Sequence, residues 1–229
     1  GLGGVTLLVA FVARQLGAER LLLDLTIFRV RASAVPSAGL ILQMLLFATA
    51  VVLTPFLLEG AMGLSPRAAT AVFVGAAVGL FLGGLPGGLL YDRVGLPRIS
   101  VASMVVTVAV MAWLVSVSEN TSVLYVVVAL GLIGLMEAIF QSAVAAGLVA
   151  AAPPGKLGLG SAMFMISIML PITVGLTIGG TLLSARLAAH EAISGIEPTA
   201  VAMAYRDVVI VGLAFAVASL VVMFVFQGA

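Results

Sequence analysis

Six long apolar segments constrain the fold of this chain more than any other feature of its sequence. Each segment is long enough to cross a bilayer as a helix, which takes about 20 residues. The predicted spans are 35–58, 67–90, 98–117, 122–148, 158–184 and 206–227. Strands of a membrane barrel alternate polar and apolar residues, whereas these segments are apolar on all sides. The sequence therefore predicts an all-α, polytopic membrane protein with a six-helix bundle over residues 35–229.

The composition agrees with a lipid environment and excludes several classes of function. Hydrophobic residues make up 63% of the chain and charged residues 8%, whereas about a quarter of an ordinary soluble domain is charged. A formal net charge of +1 gives no basic field for nucleic acid. With no cysteine and a single histidine, the chain offers no metal site, and we expect no cofactor. The expected partner is the lipid bilayer.

The sequence also argues against an enzyme. Serine hydrolysis needs a base within reach of the nucleophile. The single histidine, His190, falls in a predicted loop on the opposite side of the membrane from Ser161, which lies near the start of a span. The metalloprotease motif H-E-x-x-H is absent, and Gly155-Lys156 lacks the frame of a P-loop. No catalytic residue is predicted.

The distribution of lysine and arginine predicts how the chain is oriented. Three of these residues fall on one side of the predicted spans and seven on the other. The larger group is Arg14, Arg20, Arg29, Arg31, Arg93, Arg98 and Lys156. Because cytoplasmic loops are the basic ones, we expect this side and the C-terminus to be cytoplasmic, in an inner or plasma membrane.

Residues 1–34 are predicted to lie outside the bundle. The apolar stretch 2–13 is too short to span a bilayer, so we interpret it as the end of a truncated transmembrane helix. The mixture of charged and apolar residues in 14–34 is typical of a linker at the cytoplasmic interface. Together with the absence of an initial methionine, this favours a fragment of a longer protein.

Three polar residues inside the spans are candidates for a substrate or proton site. Gln43 lies in the first span, and Glu137 and Gln141 lie one helical turn apart on one face of the fourth. A carboxylate inside a membrane is costly unless it is protonated, paired or hydrated, and such residues are often functional. The alternative is that these side chains only join helices by hydrogen bonds. Phe47 and Thr54 follow Gln43 on a similar face and are further candidates.

The loop predicted between the second and third spans carries the most specific motif. Its sequence GLLYDRVGLPR fits the pattern G-x-x-x-D-R-x-G-x-x-R. Its polar and glycine positions are Gly88, Asp92, Arg93, Gly95 and Arg98. Asp92 is placed to accept hydrogen bonds from the free amides of the next helix, and the arginines to pair with it or with helix ends. We interpret the motif as a cytoplasmic gating loop. The alternative is that the two arginines only follow the positive-inside rule.

This motif resembles the signature loop of the major facilitator superfamily. The segments 22–29, 63–66 and 153–162 are similar to the second half of the fourteen-spanner drug:proton antiporter branch, so that the resemblance covers nearly the whole chain. It implies half of a major facilitator fold, made of two inverted three-helix repeats. The missing N-terminal six-helix half, in the same polypeptide or in a partner, completes the substrate cavity in that family.

The resemblance also implies a function. It indicates a secondary active transporter, or part of one, that performs proton-coupled efflux of hydrophobic or cationic small molecules by alternating access. In the family pattern the first helix of each triplet lines the cavity, and these are the helices that hold Gln43 and Glu137. Two alternatives stay open. One is a facilitator for another small solute, and the other is a non-transporting six-helix membrane subunit.

Glycines repeat at four-residue spacing in the second and fifth spans. They are Gly79, Gly83 and Gly87 in the second span and Gly175 and Gly179 in the fifth. Small residues at this spacing let two helices touch backbone to backbone. In the family fold we expect these two helices to face the other half. The alternative is that the glycines pack within this half.

Overall fold

The computed structural model of the chain describes residues 31–51, 53–118, 121–153, 157–194 and 198–227. Every regular element in these residues is a helix, which confirms the all-α prediction for this part of the chain. In chain order the elements are α1 (Arg31–Leu46), a π-helical turn (Phe47–Val51), α2 (Thr54–Gly60), α3 (Pro66–Val94), α4 (Leu96–Leu114), α5 (Val123–Ala150), α6 (Leu157–Ser194) and α7 (Pro198–Gln227).

Six helical segments of the described residues are long and apolar enough to cross a membrane. They are Arg31–Gly60, Pro66–Val94, Leu96–Leu114, Val123–Ala150, Gly158–His190 and Thr199–Val225. The first of them, which we call the first span, joins α1, the π-helical turn and α2. These segments confirm the six predicted spans and indicate a multi-pass membrane protein.

The helices extend beyond the apolar segments that predicted them. The first begins at Arg31, so that residues 31–34 of the predicted linker 1–34 are helical, and residues 1–30 lie outside the described residues. Most of the predicted loop 185–205 is also helical, because α6 and α7 both continue into it. Helical hydrogen bonds do not require apolar side chains, and Arg186 of α6 pairs with Asp207 of α7 at 3.5 Å. Polar composition therefore did not mark the helix ends.

The predicted cytoplasmic residues that the structure describes, Arg31, Arg93 and Arg98, lie at one end of the bundle, which we call the Arg31 end. Here a cavity is bordered by Ala32, the turn between α3 and α4, and the C-terminal residues of α5. The Arg31 guanidinium donates to the carbonyl oxygen of Val225 at 3.3 Å, which brings the end of α7 to the same place. At the opposite end, the Gly60 end, α2 lies beside α6 and α7.

Helices α3 and α5 pack against each other more extensively than any other described pair. The contact face of α3 is a row of glycines, Gly75, Gly79, Gly83 and Gly87. A Cβ atom on Gly75 would lie 2.6 Å from the carbonyl oxygen of Val127, and one on Gly87 would lie 2.8 Å from that of Ile139. The backbone of α5 therefore occupies the space that side chains would need.

A second glycine row fixes α6 against the first span. A Cβ atom on Gly175 would lie 3.0 Å from the carbonyl oxygen of Leu45, and one on Gly179 would lie 2.9 Å from that of Thr49. Both rows are thus filled by helices of this bundle. This confirms the alternative that these glycines pack within the bundle, and the prediction that the two helices also face another half stays a prediction.

Replacing Gly83 with alanine tests the close contact, and the adjacent Gly84 supplies a matched control. A Cβ on Gly83 would overlap the Leu135 carbonyl oxygen, whereas one on Gly84 meets no atom within 4 Å. We expect Gly83→Ala to lower the free energy of unfolding by about 1–3 kcal/mol, because overpacking forces backbone shifts. Gly84→Ala should leave it unchanged or raise it, since alanine favours helices. Unfolding in mixed micelles measures both variants, and equal effects would contradict the packing.

Candidate functional site

The structure brings all three predicted polar residues into one cluster. The Gln141 Nε2 donates a hydrogen bond to Glu137 Oε1 at 2.8 Å within α5. The Gln43 Nε2, from the first span, donates to Glu137 Oε2. Both carboxylate oxygens thus accept amide N–H groups, and the cluster joins the first span to α5. We call these three residues the Glu137 cluster.

The Glu137 cluster forms a polar layer between two apolar cores. Toward the Gly60 end lies a core that includes Leu46 and Ile133, and toward the Arg31 end lies one that includes Leu40 and Phe140. Glu137 is 1% exposed and stands midway along α5. Its carboxyl group is therefore far from water at both ends of the bundle.

No described cation neutralises this carboxyl group. The ion pairs found in the described part of the chain join Asp207 to Arg186 and to His190, and neither involves Glu137. A buried carboxylate without a cation is costly even when it is hydrogen-bonded. The site is therefore suited to take up a proton or a positively charged ligand.

The Gln43 amide can serve both protonation states of Glu137. Its Oε1 atom is buried and has no hydrogen-bond partner among the described residues. As placed, Nε2 donates to the carboxylate; after a rotation of the amide, Oε1 would accept the O–H of the carboxylic acid. An amide that offers a donor and an acceptor from the same position lets the carboxyl group change charge without losing its partner. Gln141 approaches the Met44 sulfur at 3.9 Å, which gives that amide a weak second contact.

A second buried polar cluster was not predicted. The hydroxyl groups of Thr54 and Tyr205 lie 2.9 Å apart, and both approach the carbonyl oxygen of Ala50, at 3.3 and 3.4 Å. Thr54 therefore contacts α7 and forms no hydrogen bond with the Glu137 cluster. The first span is interrupted between the π-helical turn and α2. Pro55 is the sequence signal for this interruption, because its missing N–H breaks the helical hydrogen-bond pattern and leaves carbonyl groups to be satisfied.

The predicted gating loop is a tight helix-to-helix turn. Gly95 adopts φ +80° between α3 and α4, which explains the glycine at this position. The prediction that Asp92 caps the next helix is wrong: α3 continues through Asp92, and no side chain caps α4. In the described residues Asp92 forms no ion pair with Arg93 or Arg98. It borders the cavity of about 550 Å³ at the Arg31 end. The gating role of these residues, with Gly88, stays a prediction.

Comparison with known proteins gives no further guide to the site. No protein-family model matches the chain, and no curated protein matches it. Among the described residues, no group of three or more His, Cys, Asp or Glu side chains could hold a metal ion. Function must therefore be argued from the geometry of the Glu137 cluster.

A double-mutant cycle on Gln43 and Glu137 tests whether their hydrogen bond joins the helices. Gln43→Leu and Glu137→Leu each strand a buried polar partner, so we expect each to lower the free energy of unfolding by about 1–3 kcal/mol. The double variant should cost less than the two single changes together, because it removes both groups at once, with a coupling of about 0.5–3 kcal/mol. Strictly additive effects in mixed-micelle unfolding would show that the two side chains do not interact.

Proposed function

We propose that the chain is part of a secondary active transporter of the major facilitator type. In this proposal it moves hydrophobic or cationic small molecules by proton-coupled alternating access, and Glu137 is the group that exchanges a proton or a cation. The observation that carries the proposal is a membrane-buried carboxyl group that two amides hold and that no cation in the described part of the chain contacts. Ionisable groups at this depth are rare and mark pathways for ions or substrates.

The position of the cluster supports this function. Gln43 and Glu137 belong to the first helix of each predicted triplet, which are the helices expected to line the cavity. A change of charge on Glu137 acts directly on the contact between them. Coupling requires that proton binding alter the helices that line the substrate cavity, and this contact meets that requirement.

The pattern of helix contacts supports the half-facilitator fold. The first triplet consists of the first span, α3 and α4, and the second consists of α5, α6 and α7. The second helix of each triplet packs on the first helix of the other triplet: α3 packs on α5, and α6 packs on the first span. The third helices, α4 and α7, contact each other, and each also contacts the first helix of the opposite triplet. Exchanging the two triplets maps these contacts onto one another. This is the relation that inverted repeats produce.

A non-transporting membrane subunit is the second candidate, and the burial of Glu137 favours it. None of the described cavities is lined by Glu137, and its oxygens are already occupied by amide donors. In that role the cluster would only hold the first span to α5. Transport measurements separate the two candidates.

The transport test uses the natural full-length protein that contains this chain, in proteoliposomes with an imposed pH gradient. We expect gradient-driven movement of a fluorescent lipophilic cation, and Glu137→Gln should abolish it because the amide cannot exchange a proton. Glu197→Gln removes the same charge before α7 and should leave transport unchanged. If the folded wild type moves no such cation, the drug-transporter proposal is wrong. If Glu137→Gln transports normally, the role given to Glu137 is wrong.

Orientation is part of the proposal: we place the Arg31 end and the C-terminus in the cytoplasm of an inner or plasma membrane. The chain contains no cysteine, so single cysteines report accessibility without background. We expect Ser65→Cys, near the Gly60 end, to react with a membrane-impermeant maleimide on intact cells. Ala150→Cys, at the Arg31 end, should react only after permeabilisation. The reverse pattern would contradict the orientation.

A further inference from the structure

A crevice at the Gly60 end of the bundle is separate from the Glu137 cluster. It has a volume of about 390 Å³ and lies between α2, α6 and α7. Its walls include Pro55 and Phe56 of α2, Leu183 and Leu187 of α6, and Val201 of α7. Glu59 also lines it. Glu59 lies roughly 20 Å beyond Gln43 along the first span. Because Gln43 contacts Glu137, the carboxyl groups of Glu59 and Glu137 occupy different sites.

The crevice follows from the break in the first span. Beyond the π-helical turn, the short helix α2 approaches α7 at Gly60, where a Cβ atom would lie 3.0 Å from Val201 Cγ1. On the other side α6 supplies Leu183, which is buried, and Leu187, which is half-buried. Phe56 is 56% exposed, so its ring remains available at the mouth. The result is an apolar cleft with an exposed aromatic ring.

Glu59 gives this apolar cleft a single negative charge. It is exposed, and in the described part of the chain it forms no ion pair. Arg186 is adjacent in sequence to Leu187, which lines the crevice. The Arg186 side chain already pairs with Asp207 at 3.5 Å. Glu59 is therefore the uncompensated ionisable group among the residues that line the crevice.

We propose that this crevice binds a small lipophilic cation. Its volume falls within the range of about 300–1,000 Å³ that is usual for small-ligand sites. The apolar walls accept an apolar body, Glu59 attracts the positive charge, and the exposed Phe56 ring can add a cation–π contact. The site requires no transport, so it stands or falls independently of the function proposed for Glu137.

The test measures binding of tetraphenylphosphonium to the purified full chain in phosphatidylcholine nanodiscs. Trp113 is the single tryptophan of the chain, so Trp113→Phe combined with Phe56→Trp places one fluorophore at the crevice. We expect saturable quenching of this fluorophore. In the same background Glu59→Gln should raise the Kd about fivefold, as expected for a partly exposed charge pair. Asp92→Asn, which removes an equal charge at the Arg31 end, should not change it.

Two further variants keep the outcome decisive. Leu187→Trp, measured by equilibrium dialysis in the chain that retains Trp113 and Phe56, should fill the cleft and reduce cation binding. Glu137→Gln should leave the fluorescence response at the crevice unchanged. Binding that is insensitive to both Glu59→Gln and Leu187→Trp would overturn the proposal. It would also be overturned if phosphatidylethanolamine added to the nanodiscs displaced the cation, because the natural occupant would then be a lipid.

Discussion

Close backbone contact between helices is the constraint on which the rest of this structure depends. Inside a bilayer, lipid tails are as apolar as leucine, so apolar side chains alone give two helices little reason to associate. The glycine faces of α3 and α6 replace that driving force with direct van der Waals contact to the backbones of α5 and the first span. Those two contacted helices are the ones that carry Glu137 and Gln43. The polar site is therefore positioned by glycines that lie outside it.

The first span performs two tasks because it is not a continuous α-helix. Before the π-helical turn it presents Gln43 to α5, and after it the chain presents Thr54 to α7. The hydroxyl of Tyr205 contacts both the Thr54 hydroxyl and the carbonyl oxygen of Ala50, on the two sides of this interruption. π-Helical turns of this kind are frequent at functional sites, and here one separates the buried carboxyl cluster from the crevice beside α2.

Sequence patterns were sufficient for the fold class and for the members of the polar cluster, but not for their local geometry. The long apolar segments and the position of Glu137 midway along its helix follow from composition and helical period alone. They do not depend on how the helices pack. Thr54 was expected on the face of Gln43 because eleven residues complete about three α-helical turns. The π-helical turn adds a residue to that count and turns Thr54 toward α7 instead. The prediction that Asp92 caps the next helix was also wrong about local geometry, because α3 continues past Asp92 to Val94.

The glycine rows show a different limit of the sequence. Their spacing predicts a close helix contact but contains no information about which helix fills it. Only the three-dimensional arrangement identifies α5 and the first span as the partners. By contrast, the bond between Gln43 and Glu137 has a consequence that does not depend on the partner half of any transporter. Because one hydrogen bond spans two helices, the free energy of binding a proton and the free energy of separating those helices are reciprocally linked. If the bond is stronger in one protonation state of Glu137, a ligand that displaces the first span from α5 alters the proton affinity of Glu137, and a proton alters the affinity for that ligand by the same factor.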